Sequence, residues 1–235
     1  MQNAQLGGVR DPHGRLILSY IHVRRFVGIV GATTPALVIV YFVMTGEEWT
    51  RSISDAYHTG AREVIVGGLS AIAVFLWAYK GYENDGRFPT DKQVARVAAV
   101  SAFVAAHFPN KIVDGVSLTW TQMVLPEALV GGLHYVATFT FYAALGVFCF
   151  FNFCRSAPGE APSDAKIDRV FLYRSAGIGI LLTAIAIVFV FLVLEDKKTY
   201  IFWLESVGVW MFSVCWLVKG KTLRPVVRLV HVIRH

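Results

Sequence analysis

Residues 170–194 read VFLYRSAGIGILLTAIAIVFVFLVL and residues 200–218 read YIFWLESVGVWMFSVCWLV, with only EDKKT between them. A hydrocarbon core about 30 Å thick takes roughly 17–25 helical residues to cross, so each run is long enough for one crossing. The polar gap then reads as a turn between two antiparallel helices. A barrel strand would alternate in polarity and stop after about 10 residues, and these runs do neither. The pair sets the fold class as all-α and membrane-embedded.

Working outward, four more apolar runs occur at 26–45, 64–82, 94–108 and 128–154. The six together take up more than half of the 235 residues, leaving one bundle and no separate soluble domain. The predicted organisation is an N-terminal segment 1–25, a six-span transmembrane domain 26–218 and a basic amphipathic tail 219–235. Composition agrees, since 55% of residues are hydrophobic and 16% charged, where soluble domains run near 25% charged. This apolar content excludes a disordered chain, and three cysteines are too few for a disulfide scaffold. The third run reaches only about 22 Å at 1.5 Å per residue. Extending it back through Thr90, Asp91 and Lys92, with Lys92 and Arg96 reaching the head groups, restores a crossing; a re-entrant segment is the alternative.

Positive charge orients such a chain, because short loops rich in Lys and Arg stay cytoplasmic. Of the 22 Lys and Arg, 17 fall on one side of the six-span threading. Only Arg51, Arg62, Lys111, Lys197 and Lys198 fall on the other. Both termini are therefore predicted cytoplasmic, in a multi-pass cell-membrane protein. The first 25 residues read as lacking a secretory leader. The net charge of +6 follows the positive-inside pattern and carries no nucleic-acid motif. The tail, with five Lys/Arg among Val226, Val227, Leu229, Val230 and Ile233, reads as a helix lying on anionic lipid.

Once the threading is set, the remaining polar groups gather on the outer side. The first outer loop, 46–63, reads GEEWTRSISDAYHTGARE. A second helix starting near Ser54 would put Asp55, His58 and Arg62 on one face. His107 stands at the outer end of the third span, near Lys111. His134 lies about 10 Å down the fourth span and Glu205 about 8 Å down the sixth. Ionisable groups at that depth are costly in lipid and mark sites by default. Asp55 and Glu205 are thus the acid/base candidates and Ser54, Arg62 and Lys111 the binding candidates. His58, His107 and His134 are candidate metal ligands, with zinc the metal their chemistry suits. Three readings stay open: the groups hydrogen-bond one another and the backbone, they hold a metal for catalysis, or they line a path for protons or a small cation.

Ser52-Ile53-Ser54-Asp55, Tyr57-His58-Thr59, Arg62, Phe202-Trp203-Leu204-Glu205 and Trp216-Leu217-Val218-Lys219-Gly220 together resemble the DRAM/FRAG-type superfamily of six-helix membrane proteins. That resemblance implies six helices with internal termini and a link to lipid remodelling, with no catalytic residues to carry over. Ser54-x3-His58 is also similar to an element of the membrane hydrolases that include alkaline ceramidases and progestin/adiponectin-type receptors. Those zinc amidases use a later H-x3-H in a seventh helix; here that spacing occurs as His231 and His235 in the tail and not within a span. The expected function is an outward-facing polar pocket for a lipid head group or other amphiphile, with a metal-assisted lipid hydrolase or transferase as its catalytic form. The alternatives are a scaffold subunit and a proton or cation pathway. The expected partners are membrane lipids, with a second copy of the chain or another membrane protein.

Overall fold

The computed structural model describes residues 12–81, 88–113, 116, 118–155, 163–194 and 199–234, and among these every regular element is helical. In chain order they are α1 (Pro12–Thr45), α2 (Ile53–Ala56), α3 (Arg62–Ala78), α4 (Asp91–His107), α5 (Trp120–Val124), α6 (Glu127–Val147), a π-helical turn (Phe148–Asn152), α7 (Asp164–Val193), α8 (Tyr200–Lys219) and α9 (Arg224–Arg234). Four stretches are long and apolar enough to cross a membrane: Ile21–Thr45, Glu127–Asn152, Asp164–Val193 and Tyr200–Lys219. The other two long helices, α3 and α4, have 17 residues each. At 1.5 Å per residue they span about 25 Å.

The six long helices close into a ring in which α1 packs on α3, α3 on α4, α4 on α6, α6 on α7, α7 on α8 and α8 back on α1. Small residues set the close approaches. A Cβ on Gly28 would come within 2.7 Å of Leu217, and one on Gly179 within 2.6 Å of Met211. In the Gly67-Gly68 and Gly131-Gly132 pairs one member carries the contact: Gly68 faces Thr34 of α1 and Gly131 the Asn110 carbonyl, whereas Gly67 and Gly132 meet nothing within 4 Å. Large apolar side chains such as Leu182, Ile185, Phe189 and Val193 cover the outside of α7. An apolar exterior of this kind suits lipid as solvent.

One end of the bundle is built round Trp216, which is fully buried with Tyr79 at 5.1 Å and Phe153 at 5.3 Å between ring centroids. Polar ties close that end. Thr90 and Gln93 form a capping box that starts α4 at Asp91, so the third run lengthens through Asp91 and Lys92. Asn152 donates to Asp91 at 2.8 Å, and Arg25 donates to the Gly220 carbonyl at 2.9 Å. The tail forms α9 and turns Val226, Val227 and Val230 onto the bundle, leaving Leu229, Val232 and Ile233 exposed.

Two expectations change. α1 continues back to Pro12 instead of starting at Phe26, because nothing from 12 to 25 other than Pro12 itself, at a tolerated first position, and Gly14 disfavours a helix. Pro35 is carried inside that helix, where the Thr33 and Thr34 hydroxyls bond to the Ile29 and Val30 carbonyls. α7 likewise starts at Asp164 instead of Val170, inside the Ala-, Pro- and Ser-rich stretch 156–168 whose composition suggests a soft linker; of that stretch and of the turn-rich connector 83–90, residues 156–162 and 83–87 lie outside the described residues.

Candidate functional site

The opposite end of the bundle is closed by loops, and their polar side chains converge. Ser52 caps α2, its hydroxyl accepting from the Asp55 N–H at 2.9 Å. The chain then turns at Tyr57–Ala61, where Thr59 donates to the Ala56 carbonyl, so α2 and α3 are separate helices. The single face predicted for Asp55, His58 and Arg62 does not form, because this local hydroxyl bond competes with helix continuation. Arg62 instead donates to the Tyr57 carbonyl at 3.0 Å and lies over the Tyr57 ring.

Asp55 is the hub of this end. Its carboxylate accepts from Asn110 Nδ2 at 2.8 Å, from Lys111 Nζ at 2.8 Å and from Arg51 Nε at 3.2 Å, tying the first outer loop to the one after α4. Burial pushes the Asp55 carboxyl up, but the Lys111 and Asn110 hydrogen bonds, with the Lys111 and Arg51 charges, outweigh it and hold it below its ordinary value. His58 Nε2 lies 3.0 Å from Asn110 Oδ1, an oxygen that accepts, so this nitrogen carries the proton. Burial pulls the His58 imidazole below its ordinary value; the Asn110 bond and the Asp55 charge oppose this, and the Lys111 and Arg62 charges reinforce it.

Deeper in, α6 and α8 supply two buried ionisable groups. His134 Nδ1 lies 2.7 Å from the Phe108 carbonyl, which requires a proton on Nδ1. In the neutral ring Nε2 is then an acceptor, and it sits 3.1 Å from Ser54 Oγ and 3.4 Å from Thr138 Oγ1. Glu205 Oε2 accepts the Ile53 N–H at 2.6 Å, so α8 supplies the acceptor that fixes α2. Its own backbone carbonyl accepts from the Tyr142 hydroxyl at 2.8 Å.

These groups border a cavity of about 350 Å³. Its polar end carries Arg51, Ser54, Asp55, Asn110, Lys111, His134 and Glu205, and its wall is Phe139, Ala184, Ile187, Val188, Phe191 and Leu192 from α6 and α7. Of the residues singled out in the sequence, Ser54, Asp55, Lys111, His134 and Glu205 thus come together. His58 reaches the rim only through Asn110. His107 turns away, with Nε2 3.3 Å from Ser70 of α3 and its ring against Phe103.

The predicted metal set is not assembled. Among the described residues no group of three or more His, Cys, Asp or Glu could hold a metal ion. His58, His107 and His134 point to Asn110, Ser70 and the Phe108 carbonyl instead. Sequence reasoning missed Asn110, which joins His58 to Asp55; its place in the Pro109-Asn110-Lys111 turn was the available signal.

Fold and site define a class: among the described residues, an all-helical protein with four helices of membrane-spanning length and a mixed polar and apolar cavity among the helices at one end. No family model, curated protein or solved structure matches the chain.

Proposed function

We propose that the chain is a six-span membrane protein with cytoplasmic termini whose cavity on the far side holds an amphiphile, such as a membrane lipid. The carrying observation is the composition of one concavity: cations, carboxyl groups and hydrogen-bonding groups at its loop end, and aromatic and aliphatic side chains of α6 and α7 along its wall. Water alone is poorly matched to such a wall, and a soluble polar ligand would leave it unused. Lys111 and Arg51 favour a head group bearing negative charge, and an acyl chain fits along Phe139, Val188 and Phe191. The resemblance to DRAM/FRAG-type proteins fits the same reading, as does the 17-to-5 division of cationic residues.

The test is native mass spectrometry of the purified protein with and without Ala184→Phe, which fills the cavity wall. Wild type is expected to retain one amphiphile through detergent exchange, and the variant to lose it while keeping its fold. Retention by both, or by neither, contradicts the proposal.

A further inference from the structure

We propose that Ser54 and His134 form a nucleophile and general-base pair that transfers the acyl group of a carboxylic ester lodged in this cavity; the inference rests on the amphiphile reading above. Two features point to it. The first is geometry: Ser54 Oγ lies 3.1 Å from His134 Nε2, and the Phe108 carbonyl 2.7 Å from Nδ1 fixes the tautomer that leaves Nε2 free to accept. Nucleophile, base and orienting group within hydrogen-bond reach are what an activated serine requires. The orienting group here is a backbone carbonyl in place of the more familiar carboxylate.

The second is position. Both side chains line the cavity where its cationic rim meets its apolar wall. An acyl lipid lying with its head at Lys111 and its chain along Val188 and Phe191 places its ester carbonyl at that junction.

In the first step the Ser54 oxygen bonds to the ester carbonyl carbon while its proton passes to His134 Nε2. The ester C–O bond then breaks, and the departing alcohol oxygen takes that proton. In the second step water attacks the acyl-serine carbonyl carbon and gives a proton to His134 Nε2; the acyl C–O bond to Ser54 then breaks, His134 returns that proton to Ser54 Oγ, and the carboxylic acid is released. Glu205 lines the same cavity and has the Ser54 backbone and hydroxyl as hydrogen-bonding neighbours, which hold Ser54 in place beside His134. Lys111 and Arg51, on the rim, supply positive charge for the oxyanion.

The experiment treats the full chain in lipid nanodiscs with an alkyl fluorophosphonate, which forms a Ser–P bond with loss of fluoride, and locates the adduct by peptide mass spectrometry. The expected result is a label on Ser54, absent in Ser54→Ala and formed about 10²-fold more slowly in His134→Gln, the usual scale for a lost general base. In wild type the labelling rate should fall as pH drops and the imidazole protonates, a readout that holds even where His134→Gln does not fold. Wild type that retains its amphiphile but leaves Ser54 unlabelled overturns this inference and leaves the binding reading standing. A Ser54 label whose rate ignores both pH and His134→Gln overturns the role of the base. Wild type that retains no amphiphile overturns the reading beneath.

Discussion

Removing the Asp55 carboxylate should loosen the whole loop end of the bundle, and the structure sets the size of the effect. Three donors meet this one side chain, which is only 10% exposed: Asn110 and Lys111 at 2.8 Å each and Arg51 at 3.2 Å. A buried hydrogen bond to a charged group is worth about 1.5–3 kcal/mol. The Asn110 bond counts at that scale. The Lys111 side chain is 34% exposed and contributes about 1 kcal/mol, while Arg51, 55% exposed, adds little beyond a surface ion pair. Asp55→Ala is therefore expected to cost about 3 kcal/mol. Asp55→Asn should cost roughly half of that, since an amide oxygen still accepts one bond. Lys111→Met should cost about 1 kcal/mol. Denaturant unfolding of the purified protein in a fixed detergent, followed by tryptophan fluorescence, measures all three. An Asp55→Ala protein within about 0.5 kcal/mol of wild type would refute the hub.

Acidification should act on the same end twice. His58 and Asp55 both have folded values below their ordinary ones, so each contributes stability that is present above its unfolded value and lost as pH falls through its folded value. The first loss starts below about pH 6.5 and the second below about pH 4; His58→Gln should reduce the first and Asp55→Asn the second, and a His58→Gln protein whose stability falls between pH 7 and 5 as steeply as wild type would contradict the His58 assignment. Gly68→Ala should cost about 1–3 kcal/mol because its Cβ meets Thr34 across α1 and α3, whereas Gly67→Ala, facing open space, should stay within about 0.5 kcal/mol; equal effects in thermal melts would contradict the packing. Gly131→Ala puts a Cβ within 2.9 Å of the Asn110 carbonyl and should weaken amphiphile retention, which Gly132→Ala should leave intact.

The helices were legible where local chemistry decides them. α7 and α8 follow from two uninterrupted apolar runs, and the short third run gains its missing turn from the Thr90–Gln93 capping box, a pattern written in four consecutive residues. The site was legible only as far as depth along a helix could carry it. Glu205 and His134 stand out as ionisable groups within apolar runs, and the structure sets both on one cavity. What could not be read was direction. His107 occurs at the same end as His134, but its rotation on α4 turns it to Ser70, a choice made by how α3 and α4 pack and not by spacing along either helix. The split between α2 and α3 turns on a single hydroxyl, Thr59, bonding locally. The Pro109-Asn110-Lys111 turn marks Asn110 only as a turn residue; its weight comes from bridging His58 and Asp55, 52 and 55 residues away.

The most direct measurement is an experimental density map of the protein in lipid nanodiscs at a resolution that separates water from an acyl chain. The account predicts elongated density along Phe139, Val188 and Phe191, ending in a head group beside Lys111 and passing Ser54 at its junction. A cavity holding only discrete waters, or one closed by α7 moving onto α6, would contradict it.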